Sequence, residues 1–488
     1  MMGITVVGLG PGDGRFLTRE AWQILTEAGT VHLRTKRHPA VADLPENVTL
    51  ISFDGIYETA VNFESVYAQI VAELLRLAQT GPVVYAVPGH PHVGESTVTA
   101  LETAAQEAGV PVRIVPGISF IEPMLTAVGY DGLDGLQLFD AVEMLAFHYP
   151  PLNPDVPLLL GQVYSRLVAS DLKLVLTAVY PEEHPVYLIH AAGLDGQSVE
   201  QLPLYAIDHS EQTSHLTSLY VPALPYTAAL PALAETVAIL RSPDGCPWDR
   251  EQTPQSMRAD FLEEAGEVLE ALDTFDDDGL REELGDMFYH LVMQTQMASE
   301  EEIFRLSDVI AGIEAKLKRR HPHVWGDWEA ADTAAVLHNW EKIKQDEKGR
   351  QLDSILDHIP LTLPALARSQ KIQHKVAKVG FDWPNIAGVY DKLREETAEL
   401  QAANTPAERL AELGDILFVL VNLARWLGVD AESALREANL RFTRRFQAVE
   451  QLAAARQLDL TQMDLAAIEI LWQEVKVALK AADLEENG

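Results

Sequence analysis

The 488-residue sequence predicts a multidomain chain: an α/β domain at residues 1–225, then two all-α helical modules at 226–352 and 353–488. Three observations carry this. Short β-branched runs broken by Gly and Pro fill the first part. Helical periodicity rich in Glu, Leu and Ala fills the remainder, with no convincing strand. The helical part also repeats itself.

In the first part, strands are expected at Thr5–Val7, Val83–Val87, Val112–Val115 and Lys173–Val179, and helices at Glu64–Ala78 and Ser96–Ala108. The segment Val221-Pro222-Ala223-Leu224-Pro225 marks its end. The first repeat copy reads Gly245-Cys246-Pro247-Trp248, then Phe261-Leu262-Glu263-Glu264-Ala265-Gly266-Glu267, then Glu283-Leu284-Gly285-Asp286. The second reads Gly380-Phe381-Asp382-Trp383, then Leu393-Arg394-Glu395-Glu396-Thr397-Ala398-Glu399, then Glu412-Leu413-Gly414-Asp415. A basic run, Lys316-Leu317-Lys318-Arg319-Arg320, matches Arg441-Phe442-Thr443-Arg444-Arg445 further on. The stretch from His338 to Ala367, with Pro360 and Pro364, is read as the link between copies.

A net charge of −36 argues against nucleic acid and anionic membranes as partners, and it draws divalent cations toward carboxylate clusters. The single cysteine, Cys246, excludes an internal disulfide framework and suits a reducing cytoplasm. The start of the chain lacks a basic, apolar secretory leader, and no apolar run approaches the roughly 18–20 residues that span a bilayer. A soluble, cytoplasmic protein is expected.

Residues three apart on a helix share a face. Glu264 and Glu267 therefore point one way, and so do Glu283 and Asp286 on the next helix. If the two helices pack antiparallel, four carboxylates converge, and Glu396, Glu399, Glu412 and Asp415 do the same in the second copy. Two such charges about 5 Å apart repel by about 3 kcal/mol at an effective dielectric near 20, so the cluster needs cations or protons. Hard oxygen ligands without His or Cys fit Mg²⁺ or Mn²⁺. Glutamates on helices ordinarily face solvent. Here the second pair sits among Met287, Phe288 and Tyr289 in one copy and Ile416, Leu417 and Phe418 in the other, where a merely solvated pair would strand its apolar neighbours.

Basic partners for phosphate are Lys316 and Arg320 in copy one and Arg441 and Arg445 in copy two, each pair at i,i+4. Arg368, Lys371, Lys375 and Lys378 share a helical face that reads equally as a phosphate surface or a solvated stripe. Trp248 and Trp383 hold equivalent places and are either base-stacking platforms or core residues. His321 and His323 lack zinc-ligand spacing and are read as helix-end residues.

The glutamate–aspartate pattern, with Gly-Cys-Pro-Trp-Asp upstream, resembles the MazG family of all-α nucleoside triphosphate pyrophosphohydrolases over about residues 230–450. The resemblance implies magnesium-dependent cleavage of nucleoside triphosphates to monophosphate and pyrophosphate, with removal of non-standard nucleotides as the role, and a homodimer. It makes the eight carboxylates above metal ligands and leaves Glu263 and Glu395 either as residues that support those ligands or as general-base candidates. Copy two has Asn439 where copy one has Glu314, whose added negative charge makes copy two the expected site of turnover.

Gly8-Leu9-Gly10-Pro11-Gly12-Asp13 follows a strand, but Pro11 removes a phosphate-facing donor and Asp13 stands where a nicotinamide fingerprint wants glycine. With Gly89-His90-Pro91 and Pro116-Gly117-Ile118-Ser119, the pattern resembles the tetrapyrrole (corrin/porphyrin) methylase family over about residues 3–225. That resemblance implies two α/β lobes with S-adenosylmethionine between them, held by Gly8, Gly10, Pro11, Gly12, Gly89, His90, Pro91, Pro116, Gly117 and Ser119. His90 replaces the family's aspartate, and Phe120, Glu122 and Pro123 replace its small residues. Two other readings stand beside the pyrophosphohydrolase. One is a methyltransferase with a helical dimerisation region, the other a nucleotide- or S-adenosylmethionine-binding regulator without turnover.

Overall fold

The computed structural model describes residues 3–59, 62–347, 354–357 and 359–486. The chain forms two compact units, Met1–Gln252 and Thr253–Gly488.

In the first unit, β1 (Ile4–Gly8), β2 (Thr30–Leu33), β3 (Thr49–Ser52), β4 (Val83–Val87) and β5 (Val112–Val115) make a parallel sheet of order β3-β2-β4-β1-β5. A parallel sheet needs cover on both faces. Ile4 and Val6 of β1 pack with Val66, Ile70 and Leu74 of α3 (Phe63–Ala78) on one side, and Val7 packs with Ala21 and Leu25 of α1 (Arg19–Glu27) on the other. The intervening α2 (Asp54–Thr59) precedes α3, and α4 (Ser96–Ala108) links β4 to β5. Helix starts follow capping chemistry: Thr18 accepts from the Ala21 N–H, and Asn62 with Ser65 forms a capping box. Beyond β2, Arg34 pairs with Glu95, whose side chain is 3% exposed, and donates to the Tyr57 hydroxyl at 2.7 Å.

The second lobe begins at α5 (Ile121–Val128). It continues through β6 (Gln137–Asp140), α6 (Ala141–Met144), β7 (Leu158–Gly161), α7 (Arg166–Leu176), β8 (Pro185–His190), β9 (Ser198–Pro203) and β10 (Thr217–Val221). Its mixed sheet runs β6-β7-β10-β8-β9, with only β6 and β7 parallel. The strand expected at Lys173–Val179 is instead the end of α7 and the turn after it. Ser165 caps that helix, and Val168, Ala169, Leu172 and Leu176 bury one helical face, so a 3.6-residue period overrides the β-branched run.

After β10, α8 (Leu230–Arg241) and α9 (Pro247–Glu251) stay with the α/β unit, so the compact division falls at Gln252 rather than at Pro225. The second unit is helical throughout its described residues. It runs α10 (Arg258–Thr274), α11 (Asp277–Glu300), α12 (Leu306–Arg320), α13 (Pro322–Trp325), α14 (Thr333–Glu347), α15 (Ala365–Ala377), α16 (Ile386–Ala402), α17 (Pro406–Trp426), α18 (Ala431–Ala455) and α19 (Leu465–Glu486). The expected boundary between modules, 352/353, lies outside the described residues. A 2.7 Å ion pair from Arg436 of α18 to Asp273 of α10 joins the two copies.

Candidate functional site

Each copy of the repeat folds as a helical hairpin, α10–α11 and α16–α17, because a short capped connection forces consecutive helices to turn back. Asp276 caps α11 by accepting from the Gly279 N–H at 3.0 Å. Thr405 and Glu408 form a capping box at the start of α17. The paired carboxylates of the two helices thereby face each other.

In module one, Glu264, Glu267 and Glu283 each offer an oxygen within 4.8 Å of the others. Asp286 joins no such set of three among the described residues, although its charge acts on Glu264 and Glu283. In module two, Glu396, Glu412 and Asp415 form one such set, and Glu395, Glu396 and Glu399 another. Burial, followed by the neighbouring acids, raises the Glu264, Glu283 and Glu412 carboxyls above the ordinary value. Carboxyls gathered this closely disfavour one another's ionisation. An all-oxygen set of this kind fits Mg²⁺ or Mn²⁺.

The chain gives the two clusters different neighbours. Lys392 of α16 sits 2.7 Å from Glu395 and 2.6 Å from Glu396, and those bonds raise its ammonium above the ordinary lysine value. In module one, His290 of α11 is 3% exposed, lies 3.9 Å from Glu264 through Nε2, and leaves Nδ1 without a partner. Its aligned residue in module two is Val419. A lone histidine on an apolar helix face reads as core in the sequence, and nothing there marked it.

The basic residues are spread over several roles. Arg320 stacks over the Trp340 ring at 5.4 Å, Arg441 pairs with Glu437 at 3.1 Å, and Lys316 and Arg445 are half-buried. On α15, Lys375 donates to the Ile355 and Asp357 carbonyls at 2.8 and 2.9 Å, so it tethers the preceding segment rather than facing open solvent. Trp248 and Trp383 are 62% and 42% exposed, which removes the core alternative for both. Glu314, the basis for expecting a weaker copy one, is paired with Lys318 at 2.6 Å, so its charge is already met. A further repeated element lies outside the residues predicted for the site: Trp340-x-x-x-Lys344 on α14 answers Trp472-x-x-x-Lys476 on α19. Lys344 lies over the Trp340 ring at 4.9 Å, and Trp472 lies 5.1 Å from Phe442.

In the first unit, β4, β1 and β5 are adjacent, so the three glycine-containing loops leave the same sheet edge side by side. Gly10 and Gly89 exchange backbone hydrogen bonds at 3.2 and 2.8 Å. A Cβ on Gly8 would lie 2.5 Å from the Gly117 nitrogen, and one on Gly117 would lie 2.3 Å from the Gly89 carbonyl oxygen. Only glycine permits that approach. Pro11, Gly12, Pro91 and Pro116 flank this cradle; Gly12 accepts from the Ala40 N–H at 3.1 Å and Pro116 from the Thr18 hydroxyl at 3.4 Å. The His90 imidazole accepts from the His92 N–H at 3.1 Å. Ser119 donates to Glu122 at 2.5 Å and accepts from the Ile121 N–H, so its hydroxyl is committed to the start of α5. Nearby His38, which hydrogen-bonds the Gly10 backbone, is pushed down by burial to about 4.

Comparison with known proteins follows the same division. Residues 3–208 match the Tetrapyrrole (Corrin/Porphyrin) Methylases, residues 252–325 the MazG nucleotide pyrophosphohydrolase domain, and residues 368–442 Phosphoribosyl-ATP pyrophosphohydrolase. The chain is 39% identical to the uncharacterized protein YabN of Bacillus subtilis (strain 168), over 97% of this chain and 98% of that one. It is 48% identical to the nucleoside triphosphate pyrophosphohydrolase of Escherichia coli (strain K12), over 49% of this chain and 93% of that one. It is 42% identical to the nucleoside triphosphate pyrophosphohydrolase/pyrophosphatase MazG of Thermotoga maritima, over 49% and 91%.

Proposed function

The chain belongs to the family that joins a tetrapyrrole methylase domain to MazG-type nucleotide pyrophosphohydrolase modules, and from that premise we propose that it hydrolyses nucleoside triphosphates to monophosphate and pyrophosphate with Mg²⁺ or Mn²⁺. The observation that carries the reading is the carboxylate cluster facing itself across each hairpin. A divalent cation bound there supplies neutralisation of the triphosphate and an acidified water. Glu396, Glu412 and Asp415, with Glu399 beside them, are its ligands in module two; Glu264, Glu267 and Glu283, with Asp286, are its ligands in module one. Glu395 and Glu263 lie exposed on the same helices, where they accept the proton of the attacking water. Arg441, Arg445, Lys316 and Arg320 balance the charge of the phosphates and of the leaving pyrophosphate. Module two is the principal site of turnover, because Asp415 joins its cluster of three while Asp286 joins none. A nucleotide panel assayed for pyrophosphate with and without EDTA tests this. Orthophosphate with a diphosphate product would refute the reaction, and turnover in EDTA would refute the metal.

The glycine cradle of the first unit supports S-adenosylmethionine or a related nucleoside as its ligand, read by calorimetry on the full chain. No heat at millimolar ligand would refute that ligand. A second copy of the chain is the proposed partner. Leu284, Phe288 and Leu291 of α11 are 44%, 54% and 49% exposed, and the aligned Leu413, Leu417 and Leu420 of α17 are 48%, 47% and 43% exposed. An apolar stripe left open at the same places in both copies calls for a helix of like kind, and light scattering that returns a monomer would refute it. Among the described residues, no helix is long and apolar enough to cross a membrane.

A further inference from the structure

The two modules carry the same carboxylates on the same hairpin, but among the described residues only those of module two are paired with a lysine. Lys392 lies one turn before Glu396 on α16 and reaches both Glu395 and Glu396, at 2.7 and 2.6 Å. Lysine–glutamate pairs one turn apart are common on solvated helix faces and contribute little there. This pair is set deeper: the Glu396 side chain is 6% exposed and that of Lys392 is 33% exposed. The aligned residue of module one is Asp260, so base replaces acid and the local charge differs by two units. No lysine or arginine among the described residues is paired with Glu264, Glu267 or Glu283. The basic group beside them is the His290 imidazole, 3.9 Å from Glu264 and beyond hydrogen-bond reach.

We propose that Lys392 is a built-in counter-cation of module two, holding the charge position that a further divalent cation takes in module one, so that module one binds more divalent ions than module two. The inference rests on the reading of the clusters as metal centres and adds to it a difference in stoichiometry between them. The donor chemistry supports it. An ammonium gripped by two carboxylates neutralises one charge in place, but it offers no open coordination position and must swing aside before an ion can use Oε1 of Glu396.

Mn²⁺ titration of the full chain, followed by the paramagnetic resonance of the free ion, tests the proposal without any turnover. One background removes module one by Glu264→Gln with Glu283→Gln, and the other removes module two by Glu396→Gln with Glu412→Gln, which breaks both of its donor sets. The chain with only module one intact is expected to take up more Mn²⁺ than the chain with only module two intact. Lys392→Met should then raise uptake by module two by about one ion or tighten it roughly tenfold, while Lys392→Arg keeps the wild-type count. Asp260→Lys should lower uptake by module one, and it provides a second arm if Lys392→Met does not fold. Equal uptake in both backgrounds, unmoved by Lys392→Met and Asp260→Lys, overturns the proposal for Lys392 alone. Absence of Mn²⁺ binding in both backgrounds overturns the metal-centre reading on which it rests.

Discussion

Glu264→Gln is expected to stabilise the metal-free protein even though it deletes a proposed metal ligand. Glu264 lies within 4.8 Å of Glu267 and Glu283 oxygens, and its side chain is 22% exposed. At an effective dielectric near 20, one such pair repels by about 3 kcal/mol, and solvent at the open side of the cluster reduces this to about 1 kcal/mol. For a unit of this size that corresponds to a rise of roughly 2–4 °C in melting temperature. The sign with pH follows from the direction of the shift. Glu264 is held above its ordinary 4.5 by burial first and then by Asp286 and Glu267, so the native state binds the proton more tightly than the unfolded chain does. The destabilisation is therefore absent below about 4.5 and grows as pH rises through the raised value. Melting curves in EDTA from about pH 4 to about pH 7.5 should show the variant's advantage vanishing at the acid end and full at neutrality. Saturating Mn²⁺ should reverse the order, because the wild type regains a ligand the variant lacks. A variant that melts below the wild type in EDTA at neutral pH, or a difference that does not change with pH, would refute the electrostatic reasoning.

Three further outcomes are expected. Asp415→Asn should abolish most pyrophosphate release and Asp286→Asn should cost less, since only Asp415 completes a set of three; equal losses in the pyrophosphate assay would contradict this. Gly117→Ala should weaken S-adenosylmethionine binding and lower the melting temperature, because its methyl would lie 2.3 Å from the Gly89 carbonyl oxygen; unchanged calorimetry would exclude the cradle as the site. Arg34→Met should cost about 3–5 kcal/mol in denaturant unfolding, because it strands the Glu95 charge in the interior, and the double change with Glu95→Gln should recover much of that; a loss within error would show the pair to be dispensable.

Much of this was legible from residue order, for a physical reason: periodicity reports a face. β4, β5 and α4 were read to their observed bounds because each is a short run closed by Gly or Pro. The carboxylates were legible because three-residue spacing on an amphipathic helix fixes which side chains meet. Lys173–Val179 was not, because β-branched residues on a buried helix face look like a strand until Ser165 is recognised as a cap eight residues earlier. Lys392 sat one turn from Glu396 in plain view, but its weight depends on the burial of Glu396, which spacing does not give. His290 is ordinary for a helix interior, and only the fold brings its imidazole near Glu264, whereas Trp340 and Trp472 stand out once the copies are aligned. Glu314 adds less net charge to copy one than its position suggests, because Lys318, one turn on, pairs with it.

The hairpin that carries each cluster also sets when the cluster can form. All the acids of module two lie between Glu395 and Asp415, within one turn-linked pair of helices, and those of module one lie between Glu263 and Asp286. Closing so short a loop costs little chain entropy, and contacts of low sequence separation form early. Each centre can therefore assemble as a local event, before the long-range sheets of the first unit are complete. Each hairpin therefore carries a full set of the carboxylates by itself. On the proposed metal reading, a cation present during synthesis would meet its ligands as soon as the second helix turned back, and would relieve their repulsion there.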